Sequence, residues 1–91
     1  MKVFIMLTRN QIDEYIDEHY PDEEIMLLDG LDSAFIGLTT NNIRAVYSVQ
    51  KIIEELMSQG MSEEDAYEYF DFNIECAYVG EKTPVYLNTI P

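Results

Sequence analysis

Apolar side chains recur along this chain at two periods, and the points where the period changes divide it into elements. In "LTRNQIDEYIDEHYP" the residues Ile12, Tyr15, Ile16 and His19 fall at i, i+3, i+4 and i+7, the spacing of one helical face. Thr8 stands as the N-cap, Gln11 completes a capping box and Pro21 closes the segment, which predicts a first helix near residues 8 to 19. The polar pairs "DG" and "DS" then break any periodicity. "AFIGLTT" and "IRAVYS" alternate with a period of two on either side of "NN", which predicts a β-hairpin over residues 34 to 47. The helical period returns in "VQKIIEELMSQ", where Ser48 is the cap, Val49, Ile52, Ile53 and Leu56 form the inner face and Gly60 ends the helix near residue 58. A third helix is predicted near 62 to 72, with Ser62 as N-cap, Asp65 in the reciprocal position, and Glu63, Glu64 and Asp65 favourably placed against the helix dipole. Strand-like composition resumes in "CAYVGEKTPVYLN" around a turn at Gly80, where Pro84 suits a strand start or an edge.

Striped helices and a hairpin with one apolar face can bury those surfaces only against one another. The expected fold is therefore α+β, with three helices packed on a small, mostly antiparallel sheet containing a β-hairpin. Ile12, Ile16, Ile52, Ile53, Leu56, Phe70 and Ile74 are expected to share one core. With 91 residues and no repeats or linkers, the chain has the size of a single domain spanning residues 1 to 91.

Charge changes this picture. Eighteen Asp and Glu against five Lys and Arg give a formal net charge of -13. Self-repulsion on that scale keeps a chain soluble while opposing its compact state, and it makes direct binding to nucleic acid or to an anionic membrane surface unfavourable. The same field attracts a basic surface on another protein, including one shaped to hold a duplex. No apolar run reaches membrane-spanning length, and the opening "MKVFIML" is followed by no A-x-A-like site, so neither a spanning helix nor a signal peptide is expected. The lone Cys76 fits a reducing cytoplasm and is expected to be a small, semi-buried thiol.

The acidity is patterned. In "SEEDAYEYFDFNIE", Ala66, Tyr67, Phe70 and Ile74 point one way on a helical wheel, while Glu64, Glu68, Asp71 and Glu75 form a stripe on the other. Neighbouring like charges at this spacing each cost on the order of 0.2 to 0.5 kcal/mol. The first helix repeats the device: Asp13 stacks on Asp17 and Glu14 on Glu18, and Asp22, Glu23 and Glu24 continue the charge past Pro21. Two readings follow. The rows are either an ordinary solvated face or an imitation of the phosphate rows of a duplex, and in the second case Asp13, Asp17, Glu18, Glu64, Glu68, Asp71 and Glu75 meet the partner. Phe72 falls among the carboxylates. Either the helix ends there and the ring folds into the core, or Phe72 and Tyr69 make an apolar contact inside an acidic rim.

Other chemistry is sparse. No feature raises the pKa of one carboxylate over another, which argues against a general acid and base pair and against an enzyme. His19 lies on the apolar stripe, where a core or boundary role is expected, and no second His or Cys is spaced to share a metal. "DGLDS" lacks the later ligands of a calcium loop and reads as a turn whose Asp side chains bond the local backbone. No cofactor motif is present, and no cofactor is expected.

Taken together, "LLDGLDSAFIG", "AVYSVQKIIEELMSQGMSEEDAYEYFDFN" and "AYVGEKTPVYL" resemble a group of small, acidic bacteriophage proteins of about this length, and the similarity runs from about Leu7 to Leu87. Members share a similar "DG" segment, a "GM" followed by an acidic helix, and a "VGE" with "TP" near the end. They begin near the equivalent of Met6, so Met1 and Met6 are both candidate starts. The resemblance implies a phage origin and life in the host cytoplasm, and carries over no activity. It suggests a non-enzymatic accessory that binds the basic surface of a host nucleic-acid-binding or defence protein and inhibits or modulates it as a DNA mimic. The alternative is a structural or assembly accessory that forms a homodimer or attaches to a phage component through Tyr69, Phe72 and the C-terminal strand.

Overall fold

The computed structural model describes residues 8–77 and 80–90. Local rules account for the helices. In α1 (Arg9–His19) the Thr8 side chain accepts from the Gln11 amide at 3.2 Å while the Gln11 side chain accepts from the Thr8 amide at 2.9 Å, closing the capping box. Ser48 accepts from the Lys51 amide to start α2 (Val49–Ser58), and Ser62 accepts from the Asp65 amide to start α3 (Glu63–Tyr69). Past α2, Gly60 takes φ +107°, a conformation without penalty only for glycine. The Gly60 amide then reaches the Met57 carbonyl and the Met61 amide the Leu56 carbonyl, the paired bonds of a Schellman stop.

The hairpin forms where it is predicted, but β2 is buried at all four positions rather than at alternate ones, because it is the central strand of the sheet. β1 (Phe35–Leu38) follows a short 3-10 turn at Asp32–Ala34 and pairs antiparallel with β2 (Ala45–Ser48), with a bulge between Phe35 and Gly37. Thr39 and Arg44 close the connection, the Thr39 hydroxyl accepts from the Arg44 amide, and Asn42 takes the left-handed conformation that the turn needs. β3 (Val85–Leu87) corrects the expected sheet. It pairs with β2 in parallel, in the order β1-β2-β3, because α2 and α3 carry the chain back to the starting end of β2 before β3 begins. The sheet is mixed, and the fold is α+β with three helices around it. Pro84 is buried immediately before β3, at a strand start as expected.

The core lies between the sheet and α2, α3 and the turn beyond them. Leu31, Ala34, Ala45, Tyr47, Val49, Ile52, Ile53, Leu56, Ala66, Phe70 and Ile74 form one buried cluster. Ile12 and Ile16 are buried as well, but outside that cluster, so the single core expected to unite them with Ile52 and Phe70 is divided. They face β1 instead, across a cleft of about 300 Å³ lined also by Tyr15, Phe35, Ile36 and Leu38. His19 and Tyr15 are exposed and lie ring against ring at 4.2 Å, so the α1 stripe is buried along its Ile12 and Ile16 edge alone. Cys76 is exposed rather than semi-buried, because the chain is leaving its last helical turn there.

Aromatic contacts tie the layers together. Phe35 meets Tyr47 edge-on at 5.8 Å, Tyr47 neighbours Tyr86 at 6.5 Å, and Tyr86 meets Phe70 edge-on at 5.4 Å, so all three strands are linked to the helical layer. Tyr47 is fully buried, and its hydroxyl accepts from the Leu28 amide at 2.8 Å, pinning the segment between α1 and β1. Burial pushes the Tyr47 phenol above its ordinary pKa, and burial does the same for Tyr86. As pH rises through about 10 the unfolded chain loses these protons first, so stability present below that pH falls as it climbs towards the folded-state values. Tyr47→Phe is expected to cost roughly 1 to 3 kcal/mol at neutral pH by leaving the Leu28 amide unsatisfied, and to flatten the alkaline loss. Urea midpoints measured from about pH 8 to 11 would show both effects.

Candidate partner-binding face

α3 continues past Tyr69 without unwinding, as a π-helical turn at Phe70–Glu75. Its inner residues Ala66, Phe70 and Ile74 are buried, and the face turned outwards carries Glu64, Glu68, Asp71, Phe72 and Glu75, all exposed. Tyr67, expected on the inner side, is also exposed, because the buried line follows the i, i+4, i+8 row of Ala66, Phe70 and Ile74.

Continued winding decides the case of Phe72. It stands two residues from both Phe70 and Ile74, roughly 160° to 200° around the axis from each, so it cannot reach the core while the helix persists. The ring is 77% exposed, and the reading in which it folds inwards is overturned. Beside it, Met61, Asp65, Glu68, Tyr69 and Asn73 line a shallow depression of about 430 Å³. Tyr69 is 42% exposed there. From the sequence Asp65 had a capping and helix-dipole role but no place on this face, and Met61 had none. The signal for Asp65 was its i+3, i+4 and i+7 relation to Glu68, Tyr69 and Phe72; Met61 arrives through the backbone reversal at Gly60.

The α1 row is differently placed. Asp13, Asp17 and Glu18 are exposed, but Asp13 lies 3.7 Å from Arg9, whose guanidinium also meets Asp29 at 3.3 Å and Asp32 at 3.4 Å. The Asp residues of "DGLDS" thus bond a side chain on α1, where bonds to the local backbone were expected. Glu23 pairs with Lys82 at 3.2 Å. The pairs made by Arg9 and Lys82 leave Glu64, Glu68, Asp71 and Glu75 untouched. α3 packs on α2, whereas α1 flanks β1, so the two acidic rows rest on different supports. Converting Glu64, Glu68 and Asp71 to their amides is expected to leave the thermal midpoint unchanged or raise it, since like-charge repulsion along the helix is removed. A lower midpoint in calorimetry would make the carboxylates structural.

Among the described residues, no three His, Cys, Asp or Glu side chains gather to hold a metal, and no helix is long and apolar enough to cross a membrane. Fold and surface define a small acidic α+β protein whose α3 face carries a row of exposed carboxylates that neither Arg9 nor Lys82 meets. No protein-family model matches the chain, and comparison with curated proteins and with solved structures found no match.

Proposed function

We propose that this chain is a non-enzymatic accessory protein, of phage origin as its resemblance suggests, that occupies the basic surface of a host nucleic-acid-binding or defence protein and keeps nucleic acid out. The observation that supports it most is the outer face of α3 and its π turn: Glu64, Glu68, Asp71 and Glu75 stay exposed while the chain spends its Arg9 and Lys82 elsewhere. Rows of carboxylates a helical turn apart present negative charge at spacings of roughly 5 to 6 Å, which suits a groove lined for phosphates. The inner side of the same helix is locked into the core, so the row is held rigid, and preorganised charge binds with less loss of freedom.

The reading is tested by recovering a partner from host lysate at low salt, then titrating this protein into that partner bound to a labelled duplex. Displacement that weakens steeply with salt supports it, and failure to displace the duplex overturns it. The assembly alternative, through Tyr69, Phe72 and the C-terminal strand, draws on the exposure of Tyr69, Phe72 and Leu87, and the exposed Ile36 on β1 beside the apolar cleft adds to it. Self-association that persists at high salt would favour that alternative.

A further inference from the structure

The acidic face has an aromatic centre that charge mimicry alone does not require. Phe72 is 77% exposed and Tyr69 42%, and both rings open on one depression with the carboxylates of Asp65 and Glu68 and the side chain of Met61. The spacing Asp65, Glu68, Tyr69, Phe72 places two rings and two carboxylates on a single strip of helix. Phosphate rows carry no such rings. A shallow depression of this composition suits a guanidinium best, which stacks its plane on a ring while its edge forks to a carboxylate. An ammonium group is a compact, strongly hydrated charge and gains less from either contact.

We propose that the depression between Tyr69 and Phe72 is an arginine seat, taking a guanidinium from a basic partner segment, with Asp65 and Glu68 as the carboxylates that orient it. This rests on the partner-binding reading and adds a residue-level preference to it: the partner is engaged through arginine rather than through positive charge in general. The π turn supports the seat, since the winding that buries Phe70 and Ile74 holds Phe72 outwards on a fixed backbone.

The experiment compares nona-arginine and nona-lysine, equal in charge, titrated calorimetrically into the full chain at about 0.15 M salt. Wild type is expected to prefer the arginine peptide by roughly threefold to tenfold. Phe72→Leu should abolish that preference by weakening the arginine peptide more than the lysine peptide, and Phe72→Tyr, which retains a ring, should preserve it. Phe72 is exposed, so these variants leave the core intact, which circular dichroism would verify. Equal affinity for both peptides in wild type, with strong salt dependence, overturns the seat and leaves the electrostatic reading standing. Binding of neither peptide overturns both. A preference that survives Phe72→Leu overturns the seat, as does a dimer in sedimentation that disappears with Phe72→Leu, since a second copy would then be the occupant.

Discussion

Phe70→Ala is expected to be the most destabilising single change in this chain, costing roughly 3 to 5 kcal/mol. Phe70 is buried where the helical layer meets the sheet, edge-on to Tyr86, which in turn neighbours the fully buried Tyr47. Truncation removes the ring that joins α3 to β3 and leaves a cavity against a parallel strand only three residues long. A domain of this size typically holds about 5 to 15 kcal/mol in all, so the variant should be partly or wholly unfolded at 37 °C. Denaturant titration would measure the loss. A cost below about 1 kcal/mol would mean that the site collapses around the cavity and that Phe70 is not the link between the layers.

Neutralising Glu64, Glu68, Asp71 and Glu75 together should have the largest effect on binding. Exposed charges act mainly through long-range steering, so association with the basic partner should slow by roughly tenfold to a hundredfold at low salt while dissociation changes less. Raising the salt from about 0.1 M to 1 M shortens the screening length from about 10 Å to about 3 Å, and should bring wild type and variant together. Stopped-flow mixing at the two salt concentrations reads both expectations. A variant that associates and displaces duplex as well as wild type does would reduce the row to a solvated surface. The equivalent change at Asp17 and Glu18 is expected to matter less, because the α1 row is partly offset by Arg9 at Asp13 and rests on a different support.

The candidate face was legible in outline. The i, i+4, i+7 spacing of Glu64, Glu68 and Asp71 places them away from Phe70 on any helix, and Glu75 joins them at i+11 if the winding continues. Phe72 was the ambiguous residue, because its direction depends on whether the backbone keeps winding after Asp71, and "FDFNIE" carries no Gly or Pro to settle that. The structure keeps winding, with wider π spacing, since Ile74 gains a place in the core by doing so. The α1 row looked continuous with Asp22 to Glu24, and sequence gave no sign that Arg9 would reach across to Asp29 and Asp32, or that Lys82 would reach back to Glu23.

By itself the sequence determined where the helices begin and where the second one stops. Those limits arise from contacts three to five residues apart: Thr8 with Gln11, Ser48 with Lys51, Ser62 with Asp65, and the reversal at Gly60. It also determined the hairpin, whose two segments meet across a short turn around Asn42, though not the burial of β2 on both faces. Only the tertiary structure decided the direction of β3, the separation of Ile12 and Ile16 from the main core, the exposure of Tyr67 and His19, and the partners of Arg9. Each of these turns on groups far apart in the chain: Arg9 meets carboxylates 20 and 23 residues away, and Tyr47 holds an amide 19 residues before it. A local pattern shows that a side chain is apolar or charged and which way its own element turns it; which surface lies opposite is chosen by the balance of burial over the whole fold.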